Sequence, residues 1–309
     1  GHGFGGMRSS VMSRVVRERS ELVLVGTGGG GSGWAREGAK SVWRVAVVED
    51  QRYGGTCAWR GCDPTKVLVG VSELIDLQRR MTGRGATGDA RIDWPALMRF
   101  KRTFTEPVPA SRESSYEKLG VAMYHGTGRF TAPERFAVDG SELESRFYVI
   151  SSGAHPTPLG IPGEEHVSTS TDFLDLDQLP PRIAFIGAGF IAFEFAHVAA
   201  RAGAKVVMLG RGRPLGHFDT ALVARLVEHT RELGVDVRLD APVTGVERKG
   251  NDLTLLFGGS RSGAVVTHRR VPVSGRSPIP RARDPARAGV APANHGPSPF
   301  PTCLPAQTP

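Results

Sequence analysis

The chain has 309 residues, of which 39% are hydrophobic, with three cysteines and a formal charge of +8. These values are typical of a soluble globular protein with room for two domains, and they exclude a disulfide-rich secreted scaffold. No apolar run reaches the roughly 18 residues that a membrane span needs, so no membrane partner is expected. The arginines are spread along the chain without a nucleic-acid-binding signature, so no nucleic-acid partner is expected either.

The N-terminal segment, residues 1–20, is rich in glycine and then basic. It lacks the apolar core of a secretory signal, so the chain is expected in the cytoplasm. We predict that these 20 residues form a disordered extension and that the first domain begins at Glu21.

Residues 22–49 predict a strand, a glycine loop, a short helix and a second strand. The loop carries Gly26-x-Gly28-x-x-Gly31, and the acid Glu49 ends the second strand. Glycines at this spacing let a pyrophosphate approach the backbone at a helix N-terminus, and the acid can accept a hydrogen bond from a ribose 2′-OH. The pattern therefore indicates FAD or NAD, although the surplus glycines weaken the predicted start of the helix.

The middle of the chain predicts three helices, over residues 66–81, 94–102 and 111–119. Short strands separated by turns are predicted over residues 122–150. The linker SSGAHPTPLGIPG then separates this part from a second unit of the same kind.

The second strand–loop–helix–strand unit carries Gly187-x-Gly189-x-x-Ala192, in which the small third residue lets the helix pack against the strand. Gly203 is the expected stop of its long helix. A further helix over 220–233 and the strands VDVRL and DLTLLF are predicted to complete the domain.

No acid ends the second strand of this unit, where Arg211 and Arg213 stand instead. A guanidinium suits a 2′-phosphate, so NADP(H) is favoured over NAD(H) as the ligand of this unit.

Two of the three cysteines, Cys57 and Cys62, lie close together in GGTCAWRGCDPTK. Zinc would need two further ligands, and no second cysteine pair exists in the chain. A thiol near a helix N-terminus and a cation such as Lys66 has a lowered pKa and becomes nucleophilic. Alone, the pair would be typical of structural cysteines, but the flanking nucleotide motifs favour a redox couple.

Three motifs carry a resemblance to a known family: GGTCAWRGCDPTK, VISSGAHP and GAGFIAFE, in that order. The chain resembles the flavin-dependent pyridine nucleotide-disulfide oxidoreductases, the group of glutathione reductase, dihydrolipoamide dehydrogenase and mercuric reductase. The resemblance runs from about Glu21 to Phe257. It implies an α/β fold with two Rossmann-like domains, which bind FAD (residues 21–165) and NAD(P)H (residues 166–260).

The resemblance also implies a hydride relay, from NADPH to FAD, to a Cys57–Cys62 disulfide and on to a small-molecule or protein disulfide. Cys62 would be the thiol next to the flavin, and Cys57 the thiol that attacks the acceptor. Lys66 would pair with Glu194 and tune the flavin, while Phe190 would gate the nicotinamide pocket. Further FAD-site residues implied by the motifs are Gly55, Thr56, Ser152 and Gly153.

The last segment, residues 261–309, departs from the family pattern. Ten of the chain's 22 prolines fall in this segment, and apolar periodicity disappears. We predict a disordered tail with Cys303 as an unpaired thiol. The family's second flavin segment, with its T…A-x-G-D motif, and its C-terminal dimerisation domain are missing, as a frameshift would leave them. A reductase and an inactive remnant that keeps an NADP-binding domain are therefore both open.

Overall fold

The computed structural model describes residues 16–250, 252–259, 262–272, 276–278 and 284–288. Residues 1–15 and 289–309, and with them Cys303, lie outside the described residues. The chain divides into two compact units. Among the described residues, unit 1 comprises 16–53, 112–153 and 284–288, and unit 2 comprises 54–111 and 154–278.

The helices follow the predicted order along the chain. They are α1 (Gly29–Lys40), α2 (Gly55–Arg60), α3 (Cys62–Met81), α4 (Trp94–Thr105), α5 (Val108–Lys118), α6 (Ser170–Leu174), α7 (Phe190–Arg201) and α8 (Thr220–Glu232). Among the described residues, 3₁₀ turns cover Glu164–His166 and Pro285–Ala288. Helix α2 was not predicted, and α3 begins at Cys62 rather than at Lys66. No helix in the described part of the chain is long and apolar enough to cross a bilayer.

Unit 1 is built on one sheet of six strands. These are β1 (Val16–Val25), β2 (Val45–Glu49), β3 (Ala122–His125), β4 (Arg129–Ala132), β5 (Arg135–Val138) and β6 (Ser141–Ile150). Their order is β3-β2-β1-β6-β5-β4. Strands β3, β2, β1 and β6 run parallel, whereas β5 pairs antiparallel with both β6 and β4. Both faces are buried, since Leu22 and Leu24 belong to one apolar cluster and Val23 and Val25 to another.

Strand β1 begins at Val16, before the predicted domain start at Glu21, so the expected disorder does not hold for residues 16–20. This charged stretch is ordered because it continues the parallel pairing with β6. Ion pairs line the extension, with Arg17 Nε 3.2 Å from Glu142 Oε2 and Arg19 Nε 3.4 Å from Glu144 Oε1.

The described residues of unit 2 contain nine strands in three sheets. They are β7 (Ala154–Pro156), β8 (Arg182–Ile186), β9 (Lys205–Leu209), β10 (Asp236–Arg238), β11 (Val243–Lys249), β12 (Asp252–Phe257), β13 (Gly263–Thr267), β14 (Arg269–Pro272) and β15 (Arg276–Pro278). A parallel sheet has the order β10-β9-β8-β14, an antiparallel one the order β11-β12-β13, and β15 pairs with β7.

The predicted tail of residues 261–309 is therefore ordered in part. Strand β13 pairs with β12, β14 extends the sheet beside β8, and β15 pairs with β7. Local composition did not indicate these strands, because their order comes from pairing with strands distant in the sequence.

The two compact units differ from the predicted division at residue 165. Residues 54–111 group with unit 2 because their helices share its largest apolar core. Leu68 of α3 and Met98 of α4 are fully buried there with Phe185 of β8 and Val198 of α7. The Cys57–Cys62 segment consequently belongs to the same compact unit as the second glycine loop.

Helix α4 is also held in unit 2 by polar contacts with the end of α6. Trp94 Nε1 donates to the carbonyl of Leu176 at 2.8 Å, and Lys101 Nζ donates to the carbonyl of Leu174 at 2.8 Å. Burial lowers the pKa of Lys101, and Asp175 partly offsets the effect. The bond to Leu174 satisfies a carbonyl that the end of α6 leaves without an intrahelical partner.

Candidate functional site

The first glycine loop, in unit 1, has a backbone that only glycine can follow. Gly26 has φ +105°, and a Cβ there would lie 2.3 Å from the carbonyl oxygen of Ser151. At Gly31 a Cβ would lie 2.5 Å from Ser151 Oγ and 2.6 Å from the carbonyl oxygen of Gly26. Gly28 is the N-cap of α1 and provides no side-chain cap, which leaves the first N–H groups of the helix available to a ligand.

Glu49 lies beside this loop at the end of β2, as the nucleotide-binding pattern requires. Its Oε2 accepts hydrogen bonds from Thr27 N at 2.9 Å and Thr27 Oγ1 at 2.7 Å, and its Oε1 accepts from Gln51 N at 3.1 Å. Three donors thus fix the carboxylate at the strand end, next to the glycine loop. Sequence reasoning missed Thr27, although its position inside the loop was a signal.

Ser152 and Gly153, which follow β6, complete the group of predicted FAD residues in unit 1. The Ser152 hydroxyl oxygen is buried and has no hydrogen-bond partner among the described residues. Buried polar atoms in native proteins are normally paired, so an orphaned hydroxyl is consistent with a missing ligand. Gly153 has φ +76° with open space around its Cβ position, which leaves room at this point.

The second glycine loop, in unit 2, has the same turn with one change. Gly187 has φ +120°, and Gly189 is the N-cap of α7 without a side-chain cap. The third position is Ala192, which is fully buried in the core of unit 2. Phe190 is the first residue of α7 and is 61% exposed.

The two arginines after β9 differ in their surroundings. Arg213 Nη2 donates to the carbonyl of Phe218 at 3.1 Å and to Thr220 Oγ1 at 2.8 Å. Arg211 is exposed and has no ion-pair partner within the residues that the structure describes. The loop that carries them is tied to the second glycine loop, since Leu215 N donates to the carbonyl of Ala188 at 3.0 Å.

Cys57 and Cys62 form a disulfide with a Cα–Cα distance of 4.7 Å. Cys57 lies in the short helix α2, Cys62 is the first residue of α3, and both are exposed. Gly61 makes the close approach of the two helices possible, because a Cβ there would lie 2.8 Å from the carbonyl oxygen of Thr56. Gly55, with φ +71°, begins α2 immediately before Thr56.

Lys66 and Glu194 meet although 128 positions separate them in the sequence. Lys66 Nζ donates to Glu194 Oε1 at 2.5 Å, joining α3 to α7. Lys66 lies one helical turn after Cys62, and Glu194 lies one turn after Phe190. Within unit 2 the structure thus brings together the disulfide helix and the helix of the second glycine loop.

Comparison with known proteins identifies the family. A family model described as pyridine nucleotide-disulphide oxidoreductase matches residues 20–296. The chain belongs to this family. The predicted resemblance and the predicted α/β fold are therefore confirmed, and members of this family depend on FAD and a pyridine nucleotide.

Curated relatives include two enzymes of the predicted groups. The chain is 34% identical over 237 residues to a glutathione reductase of Burkholderia cepacia, and this match covers 76% of the chain and 53% of the relative. It is 29% identical over 279 residues to a dihydrolipoyl dehydrogenase of Thermus scotoductus, and this match covers 87% of the chain and 60% of the relative. The chain thus spans about half to three fifths of the length of the curated relatives it matches.

A solved structure agrees with this assignment. The Cu(II) complex of the HOCl-induced flavoprotein disulfide reductase RclA from Escherichia coli matches with a TM-score of 0.79 and 25% identity. The match covers 90% of this chain and 61% of that one.

Proposed function

We propose that the chain is the nucleotide-binding and dithiol part of an NADPH-driven, FAD-dependent disulfide reductase. The observation that carries the proposal is the exposed Cys57–Cys62 disulfide, with a lysine one turn later ion-paired to the glycine-loop helix. An exposed disulfide beside a cation is open to thiol–disulfide exchange, unlike a buried structural one.

The residues of the first glycine loop fit FAD. Gly26 and Gly31 leave the backbone bare at the N-terminus of α1, where a pyrophosphate is stabilised by unpaired N–H groups. Glu49 would accept hydrogen bonds from the ribose, and the orphaned hydroxyl of Ser152 would gain a partner. When bound, FAD supplies two-electron transfer between the nicotinamide hydride and the disulfide.

The second glycine loop would hold the pyrophosphate of NADP(H) at Gly187 and Gly189. Arg211 supports NADP(H) over NAD(H), because its exposed guanidinium can pair with a 2′-phosphate. Arg213 contributes less to this preference than predicted, since two acceptors of the chain already hold its Nη2. Phe190 is proposed to cover the nicotinamide pocket and to exclude water from it.

The two thiols are assigned different roles. Reduction of the disulfide takes up two electrons and two protons, and gives two thiols or a thiolate and a thiol. Cys57 would attack an acceptor disulfide, and Cys62 would then displace the acceptor thiol and restore the bond. Lys66 stabilises a thiolate at Cys62, and its ion pair with Glu194 moderates that stabilisation.

The acceptor is proposed to be a small-molecule or protein disulfide. The small number of cysteines supports a reducing compartment, so we propose the cytoplasm as its location. A homodimer is proposed by likeness to the family.

The proposal is tested with the purified full chain after incubation with FAD. We expect retained flavin absorbance, bleaching by NADPH faster than by NADH, and a slower bleaching by NADPH in Arg211→Gln. Loss of all flavin colour after gel filtration would contradict the proposal. Cys62→Ser is expected to bind flavin and to lose reduction of a model disulfide.

A second candidate is a protein that binds NADP(H) without flavin. The second glycine loop and its helix α7 lie together within unit 2, so this candidate requires no ligand in unit 1. It predicts that NADPH raises the thermal midpoint of unit 2 in a chain that does not retain flavin.

A further inference from the structure

Helices α3 and α7 are joined by ion pairs at two levels. Lys66 pairs with Glu194 near the start of both helices, and Asp76 pairs with Arg201 near their ends, where Arg201 Nη2 lies 3.4 Å from Asp76 Oδ1. The two pairs occur in the same order along each helix, so the helices run parallel.

The two ion pairs differ in burial and therefore in strength. The Lys66 side chain is 66% exposed, and an exposed ion pair contributes little to stability because water screens it. The Arg201 side chain is 7% exposed, and a buried cation that loses its partner is strongly destabilising. Of the two ion pairs, the one at Arg201 is thus better able to fix the register of α3 against α7.

Arg201 is also held from a third helix through His197. Arg201 Nη1 lies 3.1 Å from His197 Nδ1, and since guanidinium only donates, Nδ1 must accept. His197 Nε2 therefore carries the proton and donates to Thr230 Oγ1 of α8 at 2.9 Å, and Thr230 Oγ1 donates to the carbonyl of Leu226 at 2.6 Å. These hydrogen bonds connect the Arg201 guanidinium through the His197 ring to α8, whereas Arg201 Nε has no partner among the described residues.

We infer that Arg201 is a positioning residue for the redox dithiol. By holding α3 against α7 it keeps Lys66 on Glu194, one turn from Cys62. Glu194 then neutralises part of the ammonium charge that Cys62 experiences. The inference rests on the proposed role of Cys57 and Cys62, and neither Arg201 nor His197 was singled out from the sequence.

The test measures alkylation of Cys62 in the full chain, reduced with dithiothreitol and without flavin, with peptide mapping to separate the three thiols. In Arg201→Met, Glu194 no longer stays on Lys66, so the ammonium favours the thiolate more strongly. We expect about three- to tenfold faster alkylation near neutral pH, equivalent to a thiol pKa lower by about half to one unit. Arg201→Lys, which can still donate to Asp76, is expected to restore most of the original rate.

Two further variants separate positioning from general stability. Arg80→Met removes the exposed guanidinium whose Nε lies 3.1 Å from the other oxygen of Asp76, and it should leave the Cys62 rate unchanged. In a Lys66→Met background, Arg201→Met should no longer change the rate, because the ammonium is absent. A lower thermal midpoint with an unchanged Cys62 rate in the Lys66-containing chain would overturn the inference.

If Arg201→Met does not fold, Asp76→Asn takes its place, and the same faster alkylation of Cys62 is expected. A lower thermal midpoint with an unchanged Cys62 rate would again overturn the inference. The proposed function fails separately, through a chain that retains no flavin or a disulfide that resists dithiothreitol. Neither of those results depends on substitution of Arg201.

Discussion

The two strand–loop–helix–strand units share a glycine turn and a glycine N-cap, and three of their differences are instructive. The third loop position is Gly31 in unit 1 and Ala192 in unit 2. The second strand ends at Glu49 in unit 1, whereas Arg211 follows the corresponding strand in unit 2. The backbone conformation of the turn requires glycine in both units. At the other positions of each loop, the side chains packed against the loop decide which residue fits.

At the third position the neighbour is decisive. The space at Gly31 is occupied by Ser151 Oγ, which itself lies 3.2 Å from the carbonyl oxygens of Val25 and Gly26. At Ala192 the methyl group is part of an apolar core. A serine after β6 thus excludes a side chain in unit 1 that unit 2 accommodates.

The largest effect is expected from Gly26→Ala. The new Cβ would meet the Ser151 carbonyl at 2.3 Å in a left-handed backbone, and we expect a loss of about 3–5 kcal/mol in the stability of unit 1. Native-state hydrogen exchange in β1 and β2 measures this loss for unit 1 alone. Gly153→Ala is the matched control, since its φ is +76° but the space is open, and about 1–2 kcal/mol is expected there. Equal losses in the two variants would contradict the role of the close approach.

An exchange of the third loop residues sharpens the comparison directly. Gly31→Ala should destabilise unit 1 by about 2–3 kcal/mol, because its closest neighbours include the Gly26 backbone, which cannot move freely. Ala192→Gly should cost unit 2 about 1–2 kcal/mol through a lost buried methyl group and a weaker helix. Hydrogen exchange in the strands beside each loop checks both values. A neutral Gly31→Ala would show that unit 1 tolerates the residue found in unit 2.

The two units are also expected to respond to acid in different pH ranges. Burial and the adjacent Arg201 lower the pKa of His197 in unit 2 from 6.5 to about 4. The folded state then binds this proton less readily than the unfolded state, so stability is complete above pH 6.5 and falls between pH 6.5 and 4. For a half-buried ring we expect a loss of about 1–2 kcal/mol.

In unit 1 the corresponding shift also destabilises the folded state in acid, but at lower pH. A hydrogen bond from Arg44 lowers the pKa of Glu21 from 4.5 to about 2, so its contribution is lost only as the pH falls from 4.5 to 2. Urea unfolding between pH 2 and 7, monitored by hydrogen exchange in each unit, measures both losses of stability. His197→Gln can keep both hydrogen bonds without titrating, and it should remove the slope between pH 6.5 and 4. A slope that persists in that variant would assign the titration to another group.

The sequence predicted the parts of the fold that depend on local pattern. The strands before each glycine loop, the helix at residues 94–105 and the stop at Gly203, whose φ is +95°, are found where the pattern indicates them. Residues 16–20 and strand β14 were missed, because their order comes from pairing with β6 and β8, which are distant in the sequence.

The candidate site was likewise predictable where it depends on motifs in the sequence, and not where it depends on packing between elements. Motif spacing indicated Cys57, Cys62 and both glycine loops, and the family resemblance implied the contact between Lys66 and Glu194. The contact from Arg201 to Asp76 could not be found by spacing, since it depends on how two helices pack. The sequence signal was the presence of His197 and Arg201, besides Glu194, in a largely apolar helix, since buried polar side chains need polar partners.

The smallest effect concerns the third difference between the units, at the ends of their helices. Val42 and Gly203 both have a left-handed backbone, with φ +63° and +95°. Val42 N donates to the carbonyl of Ala39, and Gly203 N donates to the carbonyl of Ala200. In both units the next residue donates a further hydrogen bond back to the helix. An L-residue in this conformation costs about 1–2 kcal/mol, and Val42 is 91% exposed, so little packing offsets the cost. Val42→Gly should therefore stabilise unit 1 by about 1 kcal/mol after the larger entropy of an unfolded glycine is subtracted. The reverse change, Gly203→Val, should destabilise unit 2 by at least as much. Urea unfolding of the two variants measures both changes, and a destabilising Val42→Gly would mean that the valine side chain makes a contact which outweighs its backbone strain.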